Sequence, residues 1–356
     1  MWWAAWCAHC ARDLPRGAFV TSPTTTLVTG GAGFIGSNFV RHLLSSDPTR
    51  RVVVLDALTY AGHRATLADV WDNPRFAFVR GDITDGAVVR AVFREGPHGG
   101  GVDEVVHFAA ESHVDRSIDG PAVFVHTNVI GTQVLLDAAR DRGVRRFVQI
   151  GTDEVYGHLG DDDPPFSEQT PVDPRSPYSA SKAAADQLAL AYHRTYGLPV
   201  VITRCSNNYG PYQYPEKLVP VMILKAYRGE QLPVYGTGMN VRDWIHVDDH
   251  CAALLAVLQR APAGRIYNIG GNSERTNLWI VRRILEVLGR PQSLIELVSD
   301  RPGHDWRYAI DNTRIRTELG WAPTRRLDDG LAETVAWYLD SGRAWMQRIE
   351  QKDGAP

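Results

Sequence analysis

Thr26-Leu-Val-Thr29, followed at once by Gly30-Gly31-Ala32-Gly33-Phe34-Ile35-Gly36, is the stretch on which the reading of this chain turns. A short β-branched run enters a glycine-rich turn, and a helical pattern over Gly36 to Ser45 follows directly. Strand, glycines, then helix is the context that a dinucleotide-binding turn requires. Glycine has no Cβ, so Gly30 and Gly33 permit a tight turn and the close approach of a pyrophosphate. Gly36 permits the helix to pack on the strand, and the free N–H groups of the helix start face the anion.

Working outward, Arg51-Val-Val-Val-Leu55 reads as a second strand, with Asp56 at its end, twenty positions after Gly36. A carboxylate there accepts hydrogen bonds from both adenosine ribose hydroxyls, which favours NAD over NADP, although the same residue also suits a plain turn after a strand. Asp82-Ile83, after the third run, is placed to flank the adenine. Phe76 to Val79, Glu104 to Phe108, Arg146 to Ile150 and Val200 to Thr203 are near-continuously apolar, as strands covered on both faces should be. Their alternation with helix-length segments predicts an α/β fold, a doubly wound Rossmann parallel sheet.

After Arg204 the rhythm breaks at Pro211, Pro215, Pro220, Gly236 and Gly238. Helix signal returns at Asp248 to Gln259, Leu278 to Leu288 and Leu327 to Asp340, and strand signal at Arg265 to Ile269. This predicts a smaller, interleaved α/β C-terminal substrate lobe. The expected division is a disordered N-terminal extension over 1–25, an NAD-binding Rossmann domain over 26–206 with returning segments about 243–271, a lobe over 207–242 and 272–346, and a tail over 347–356. The charged run Asp161-Asp-Asp-Pro-Pro165 reads as a solvated surface turn.

The chain has 356 residues, 44% of them hydrophobic and 22% charged, with a formal net charge of -3. That composition suits a sizeable core and supplies no basic stripe, so no nucleic-acid polymer is expected as a partner. No run approaches the roughly 20 apolar residues of a membrane span. Four cysteines, Cys7, Cys10, Cys205 and Cys251, are too scattered for a disulfide framework, and a cytoplasmic location is expected. Trp6-Cys7-Ala-His-Cys10 superficially resembles a thioredoxin-type site but has no strand–helix scaffold before it, so neither redox nor metal chemistry is expected there.

Two further strings carry chemistry. In Tyr178-Ser-Ala-Ser-Lys182, entering a helix after Ser176-Pro177, the i, i+4 spacing puts phenol and ammonium on one face where they can interact directly. Tyr-x-x-x-Lys is common by chance, and gains weight here from the glycine-rich site on the same sheet and from a chain with only four lysines. Gly151-Thr152-Asp153-Glu154-Val155-Tyr156-Gly157 stands at the carboxyl end of a strand, where open α/β sheets place ligands. Adjacent carboxyl groups suit general acid–base work if their surroundings differ, although Thr152 or Asp153 could equally cap the next turn.

These features together resemble the extended short-chain dehydrogenase/reductase superfamily and, within it, the dTDP-glucose 4,6-dehydratase family, from Thr26 to about Trp337. The resemblance is carried by Val28-Thr-Gly-Gly-Ala-Gly-Phe-Ile-Gly36, Leu58-Thr-Tyr-Ala-Gly62, His107-Phe-Ala-Ala-Glu-Ser-His-Val-Asp-Arg-Ser117, Thr152-Asp-Glu-Val-Tyr-Gly157, Asn207-Asn-Tyr-Gly-Pro-Tyr212, Pro215-Glu-Lys-Leu218 and Asp300-Arg-Pro-Gly-His-Asp305. The N-terminal extension and the Asp56-Ala57 pair depart from the family's usual pattern.

The resemblance implies a cycle on dTDP-glucose in which Tyr178, helped by Lys182, takes the sugar 4-hydroxyl proton as hydride passes to NAD. Glu154 then removes the C5 proton, Asp153 protonates the leaving C6 hydroxyl, and hydride returns to C6, with Thr152 bonding the 4-oxygen. It implies retained NAD held by Gly30, Gly33, Phe34, Ile35, Gly36, Asp56, Leu58, Thr59, Asp82, Ile83, Phe108, Ala109, Ala110, Ser112, Thr127, Tyr178, Lys182 and Asn208. Substrate contacts are implied for Ser112, Thr152, Asn207, Lys217, Leu218, Pro233, Val234, Tyr235, Arg242, Asn277, Arg301 and His304. A homodimer through helices at about Phe124 to Arg142 and Tyr178 to Tyr196 is implied as well, although their apolar stripes could simply cover the chain's own sheet. A nucleotide-sugar 4-epimerase shares Tyr178 and Lys182 but has no use for Asp153 and Glu154 together, and an NAD-sensing binding protein on the same fold has no use for any of the four.

Overall fold

Short apolar strands, each followed by a segment of helical composition, pair in parallel because the helix carries the chain back to the same end of the sheet. The computed structural model describes residues 23–300 and 303–351, so Cys7, Cys10 and Arg301 lie outside the described residues. The main sheet contains β1 (Thr25–Thr29), β2 (Arg51–Asp56), β3 (Phe76–Arg80), β4 (Glu104–His107), β5 (Arg146–Thr152) and β6 (Val200–Cys205), joined later in the chain by β10 (Ile266–Ile269). Its order is β10-β6-β5-β4-β1-β2-β3, and every pairing is parallel. The chain reverses direction across the sheet between β1 and β4, and the crevice at their carboxyl ends is where this architecture binds ligands.

Both faces of the sheet are covered. On one lie α1 (Phe34–Ser46), α8 (Val247–Arg260) and α10 (Thr313–Leu319), with Phe39, Leu43, Leu254 and Ile315 buried against Val52, Val54 and Val106. On the other lie α2 (Gly86–Arg94), α5 (Thr132–Arg142) and α6 (Pro177–Tyr196), whose Val89, Phe93, Leu135 and Ala189 pack on Leu27, Val53 and Val105. Each buried aliphatic side chain removed from water contributes roughly 1.5–3 kcal/mol, which is why the central positions of the strands are mostly apolar on both faces.

The strands of a second lobe are built from what the sequence showed only as punctuation, and the helices it did show at Leu278 to Leu288 and Leu327 to Asp340 pack around them. β7 (Asn207–Tyr209), β9 (Val241–His246) and β11 (Glu274–Thr276) form a small sheet, and β8 (Leu232–Tyr235) pairs with β12 (Ile295–Val298). Around them pack α7 (Leu218–Arg228), α9 (Asn277–Val287), α11 (Leu327–Leu339) and α12 (Ser341–Glu350), over a core including Ile223, Trp244, Ile284, Tyr338 and Trp345. Helix α12 occupies the first residues of the expected tail, and its Ile349 is 7% exposed.

Three local findings differ from expectation. β5 and β6 each run two residues past Ile150 and Thr203, pairing Gly151 with Arg204 and Thr152 with Cys205, so Thr152 belongs to the sheet. The helix expected from Phe124 begins at Pro121; after α3 (Val114–Asp119), α4 (Pro121–Phe124) passes through a π-helical turn over Val125–Gly131 into α5. Taken as one 22-residue helix, Pro121–Arg142 is long and apolar enough by composition to cross a membrane, but 44% of its most apolar window is buried inside the fold. The Asp161 to Pro165 turn is exposed yet pinned, since Trp306 Nε1 donates to Asp161 Oδ1 (2.5 Å) and Arg307 Nη1 to the Asp163 carbonyl (2.8 Å).

Beneath the crevice, Asp186 of α6 and Arg204 of β6 form an ion pair at 3.0 Å with both side chains essentially removed from water. The Arg204 guanidinium also lies 4.7 Å over the Tyr156 ring. Removing one member of such a pair strands a buried charge. Arg204→Ala is expected to cost about 3–5 kcal/mol of stability, read as a lowered urea midpoint; a midpoint unchanged from wild type would show that the pair is not what holds these elements together.

Candidate active site

Glycines and strand ends shape the site. Gly30 has φ +68°, and a Cβ there would come within 2.6 Å of the Ala109 backbone nitrogen. A Cβ on Gly36 would overlap the Gly30 carbonyl oxygen, so both positions exclude any other residue. α1 starts directly after Gly33 with no side chain capping its first N–H groups, leaving that positive helix end for an anion. Asp56, at the end of β2, accepts from the Ala32 N–H (2.9 Å) and the Leu58 N–H (2.8 Å); burial raises its pKa and these bonds oppose the rise.

A cavity of about 360 Å³ opens over these elements at the carboxyl ends of β1, β4, β5 and β6. It is lined by every residue expected to contact NAD except Leu58, and by Thr152, Asp153, Glu154, Tyr178 and Lys182 together. Leu58 is adjacent, its φ of 54° set by the turn that bonds its N–H to Asp56. The glycine cradle, the uncapped helix end and the Asp56 carboxylate on one wall fit a dinucleotide.

At the other wall the local sequence fixes the reacting groups. Ser176 and Ser179 form a reciprocal capping box with Pro177 in the first turn, starting α6 one residue before Tyr178. Thr152, at the tip of β5, caps the turn Asp153–Tyr156 by accepting from the Glu154 N–H (3.3 Å), so the capping role and a place in the cavity coexist. Asp153 is 2% exposed, while Glu154 is only half-buried. Burial, then the neighbouring Glu154 and Asp243 charges, raise the Asp153 carboxyl well above the carboxylate range, against the pull of Arg242. The two adjacent carboxyl groups thus have unlike surroundings, as an acid and a base require.

Tyr178 and Lys182 line the same wall, but Lys182 does not bond to the phenol. Its Nζ donates to the Ile150 carbonyl at 2.6 Å, because the long side chain reaches across to the end of β5. Burial lowers the Lys182 pKa and Asp186 opposes that. Burial also raises the Tyr178 phenol well above its usual range, reinforced by the Glu154 charge and opposed by the neighbouring Thr152 hydroxyl.

Of the expected substrate contacts, Ser112, Asn207 and Lys217 line the cavity with Thr152. Lys217 Nζ donates to the Ser112 carbonyl at 3.1 Å. Leu218, Pro233, Val234, Tyr235, Arg242, Asn277 and His304 lie outside its lining, on the second lobe. Val234 is in that lobe's core, Tyr235 is exposed and meets His304 edge-on, and Arg242 is buried with Nη2 donating to the Asp305 carbonyl (2.9 Å). The lining also contains residues to which sequence reading assigned no role, among them Tyr60, Gln213, Tyr214 and Glu216. Tyr60 donates to Glu216 at 3.1 Å and carries Arg116 over its ring at 3.7 Å. Tyr60 and Glu216 fall inside Leu58-Thr-Tyr-Ala-Gly62 and Pro215-Glu-Lys-Leu218, so the signal was present in the strings.

A reversal point occupied by glycine backbone, facing a tyrosine and lysine one helical turn apart, defines a nicotinamide-dependent enzyme of the short-chain dehydrogenase/reductase type. Comparison narrows this: the family described as GDP-mannose 4,6 dehydratase matches residues 27–334, and the chain belongs to it. The dTDP-glucose 4,6-dehydratase of Xanthomonas campestris pv. campestris (strain B100) is 52% identical over 343 residues, covering 91% of this chain and 95% of that protein. A double mutant of the dTDP-glucose 4,6-dehydratase DesIV from Streptomyces venezuelae, solved with NAD bound, superposes with a TM-score of 0.86 at 52% identity, over 90% of this chain and 99% of that one. A UDP-glucose 4-epimerase from Thermus thermophilus in complex with NAD shares the fold at a TM-score of 0.81 and 30% identity, over 89% of this chain and 100% of that one.

Gly36→Val tests the cradle. The purified variant is expected to lose NAD that the wild-type protein retains, measured as nucleotide released on denaturation; full NAD content would show that the Gly30–Gly36 turn does not hold the cofactor.

Proposed function

We propose that this chain converts dTDP-glucose to dTDP-4-keto-6-deoxyglucose and water. The observation that carries the reading is the Asp153–Glu154 pair, one member buried and one half-buried, in the same cavity as Tyr178. Bound along the glycine cradle, NAD supplies a hydride acceptor for C4, a hydride donor for C6, and a cationic ring that favours the phenolate. The Tyr178 phenolate takes the 4-hydroxyl proton, and Thr152 donates to the 4-oxygen where charge develops. The 4-ketone acidifies the C5 hydrogen, which Glu154 removes. Asp153, protonated because it is buried, gives its proton to the departing C6 hydroxyl, and Glu154 then returns a proton to C5. Lys182, anchored on Ile150, sets a positive charge beside Tyr178. Ser112, Asn207, Lys217, Arg301 and, from the second lobe, Leu218, Pro233, Val234, Tyr235, Arg242, Asn277 and His304 hold the nucleotide sugar.

A 4-epimerase would need Tyr178 and a rotating sugar but no acid at C6 and no base at C5. The carboxyl pair therefore favours dehydration.

We also propose a cytoplasmic homodimer. Both described cysteines, Cys205 and Cys251, are buried and free, in keeping with a reducing compartment. Ile118, Val123, Val125 and Ile130 are 43–50% exposed along α3 and the Pro121–Arg142 helix, beside α6, an apolar face suited to a four-helix bundle with a second copy. Val123→Asp with Ile130→Asp is expected to give monomer in sedimentation velocity where the wild type gives dimer; a monomeric wild type would refute the assignment.

The direct test of the reaction is to incubate purified protein with dTDP-glucose and no added cofactor. A product lighter by one water is expected. Asp153→Asn should slow dehydration by roughly 100-fold or more while nicotinamide reduction on mixing persists. Dehydration should also weaken as pH rises through the raised Asp153 pKa, since the acid form is lost there. No product from dTDP-, UDP- or GDP-sugars, even with NAD supplied, would remove the dehydratase reading.

A further inference from the structure

His250 is a buried titratable side chain with no part in the reaction proposed above. It stands in the first turn of α8, wholly removed from water, and its Nδ1 lies 2.8 Å from Asn208 Oδ1. Burial pushes its pKa down to about 3, so the ring is neutral, with one nitrogen able to donate and the other to accept. Nε2 is buried and has no hydrogen-bond partner among the described residues. A leucine in that place would leave no nitrogen unsatisfied, so packing does not account for an imidazole here.

What the ring fixes is an amide on the cavity wall. Asn208 Nδ2 donates to the Ser206 carbonyl at 2.9 Å, and turning the amide over would set two oxygens against each other there. That bond settles the amide's orientation and makes Oδ1 the atom that meets the ring, so His250 donates through its Nδ1–H. An amide nitrogen has two N–H groups, and one remains after Ser206. The Asn208 main chain is held without the ring: β7 pairs it with Ile245 of β9, and Gln213 Nε2 donates to its carbonyl at 2.9 Å.

We infer that His250 is a positioning residue for the cofactor, holding the Asn208 amide with its remaining N–H toward an oxygen of the nicotinamide half of NAD. The inference rests on Asn208 being the cofactor contact that the family resemblance implies, and the sheet order decides which half of NAD it meets. Asn208 lines the cavity three residues beyond Cys205, which pairs with Thr152 at the reacting wall. Asp56 and the adenosine end lie four strand spacings away across the sheet, about 19 Å at the usual separation. Only the nicotinamide half reaches Asn208. Without the Nδ1–H, Oδ1 loses its donor and the Ser206 carbonyl alone restrains the amide, so the remaining N–H no longer keeps one direction.

Release of NAD from the holoenzyme, followed without any sugar nucleotide, tests this role independently of the dehydratase reading. His250→Leu, which keeps bulk and loses the donor, is expected to release NAD roughly 10-fold faster than the wild type, the worth of about one hydrogen bond. His250→Asn sets an amide N–H near the Nδ1 position and should recover most of that loss; His250→Gln sets it near Nε2 and should not. Asn208→Ala should release NAD at least as fast as His250→Leu, and joining the two should add nothing further, a coupling that a ring serving only to pack would not show. Release at the wild-type rate from Asn208→Ala or from His250→Gln, or full additivity in the double variant, would overturn the inference. Should His250→Leu fail to fold, His250→Asn against His250→Gln decides the matter, since only the first keeps the donor in place. A wild type that leaves dTDP-glucose unchanged would count against the dehydratase reading alone.

Discussion

The site depends on one constraint, that a lysine side chain is held where water hardly reaches. Lys182 is 5% exposed, and what holds it is the Ile150 carbonyl at the end of β5 together with the Asp186 carboxylate one turn further along α6. Asp186 is itself sealed in and balanced by Arg204 of the neighbouring strand. Fixing the ammonium thus fixes α6 against β5 and β6, and with α6 the distance from Tyr178 to the β5 tip that carries Thr152, Asp153 and Glu154. Packing and catalysis share the same buried charges, so the helix cannot slide without exposing one of them.

Much of this was legible in the residues. Gly30 and Gly36 could be read because only glycine meets the steric demand at those positions, and Asp56 because a carboxylate at the end of the second strand has a limited set of uses. The parallel sheet followed from strands apolar on both faces. Thr152 to Glu154 stood out because adjacent carboxyl groups at a strand end are not needed for folding. What could not be read is where long side chains reach. Helical spacing puts Tyr178 and Lys182 on one face, but a four-carbon stem chooses among acceptors, and the Ile150 carbonyl leaves no trace in a sequence.

The second lobe was legible only in outline. β7 and β11 are three residues each, too short to display a period of two, and β8 carries Pro233, which ordinarily argues against a strand interior. These pieces exist because Trp244, Ile280, Ile284 and Leu331 supply a common core for them. The residues implied for substrate contact divide accordingly. Ser112, Thr152, Asn207 and Lys217, close to where the lobe joins the main sheet, already face the cavity, whereas those carried by β8, β9 and α9 stand on the lobe beside it.

The π-helical turn at Val125–Gly131 has a further consequence, one for sequence length. A π turn holds one residue more than the α-helical turn it replaces. Here the wide turn places Asn128 so that its amide bonds both main-chain atoms of Glu111 and the Ser181 hydroxyl, while its own carbonyl accepts from Thr132, whose hydroxyl meets His107 inside the sheet. Shortening the helix by one residue at this point would restore regular helical geometry and yet leave the Glu111 main chain without its buried partner and the His107 ring with Thr29 alone. An insertion or deletion here therefore does more than lengthen or shorten a helix: it unties α6, through Ser181, from the chain that leaves β4 at Glu111 and lines the cavity.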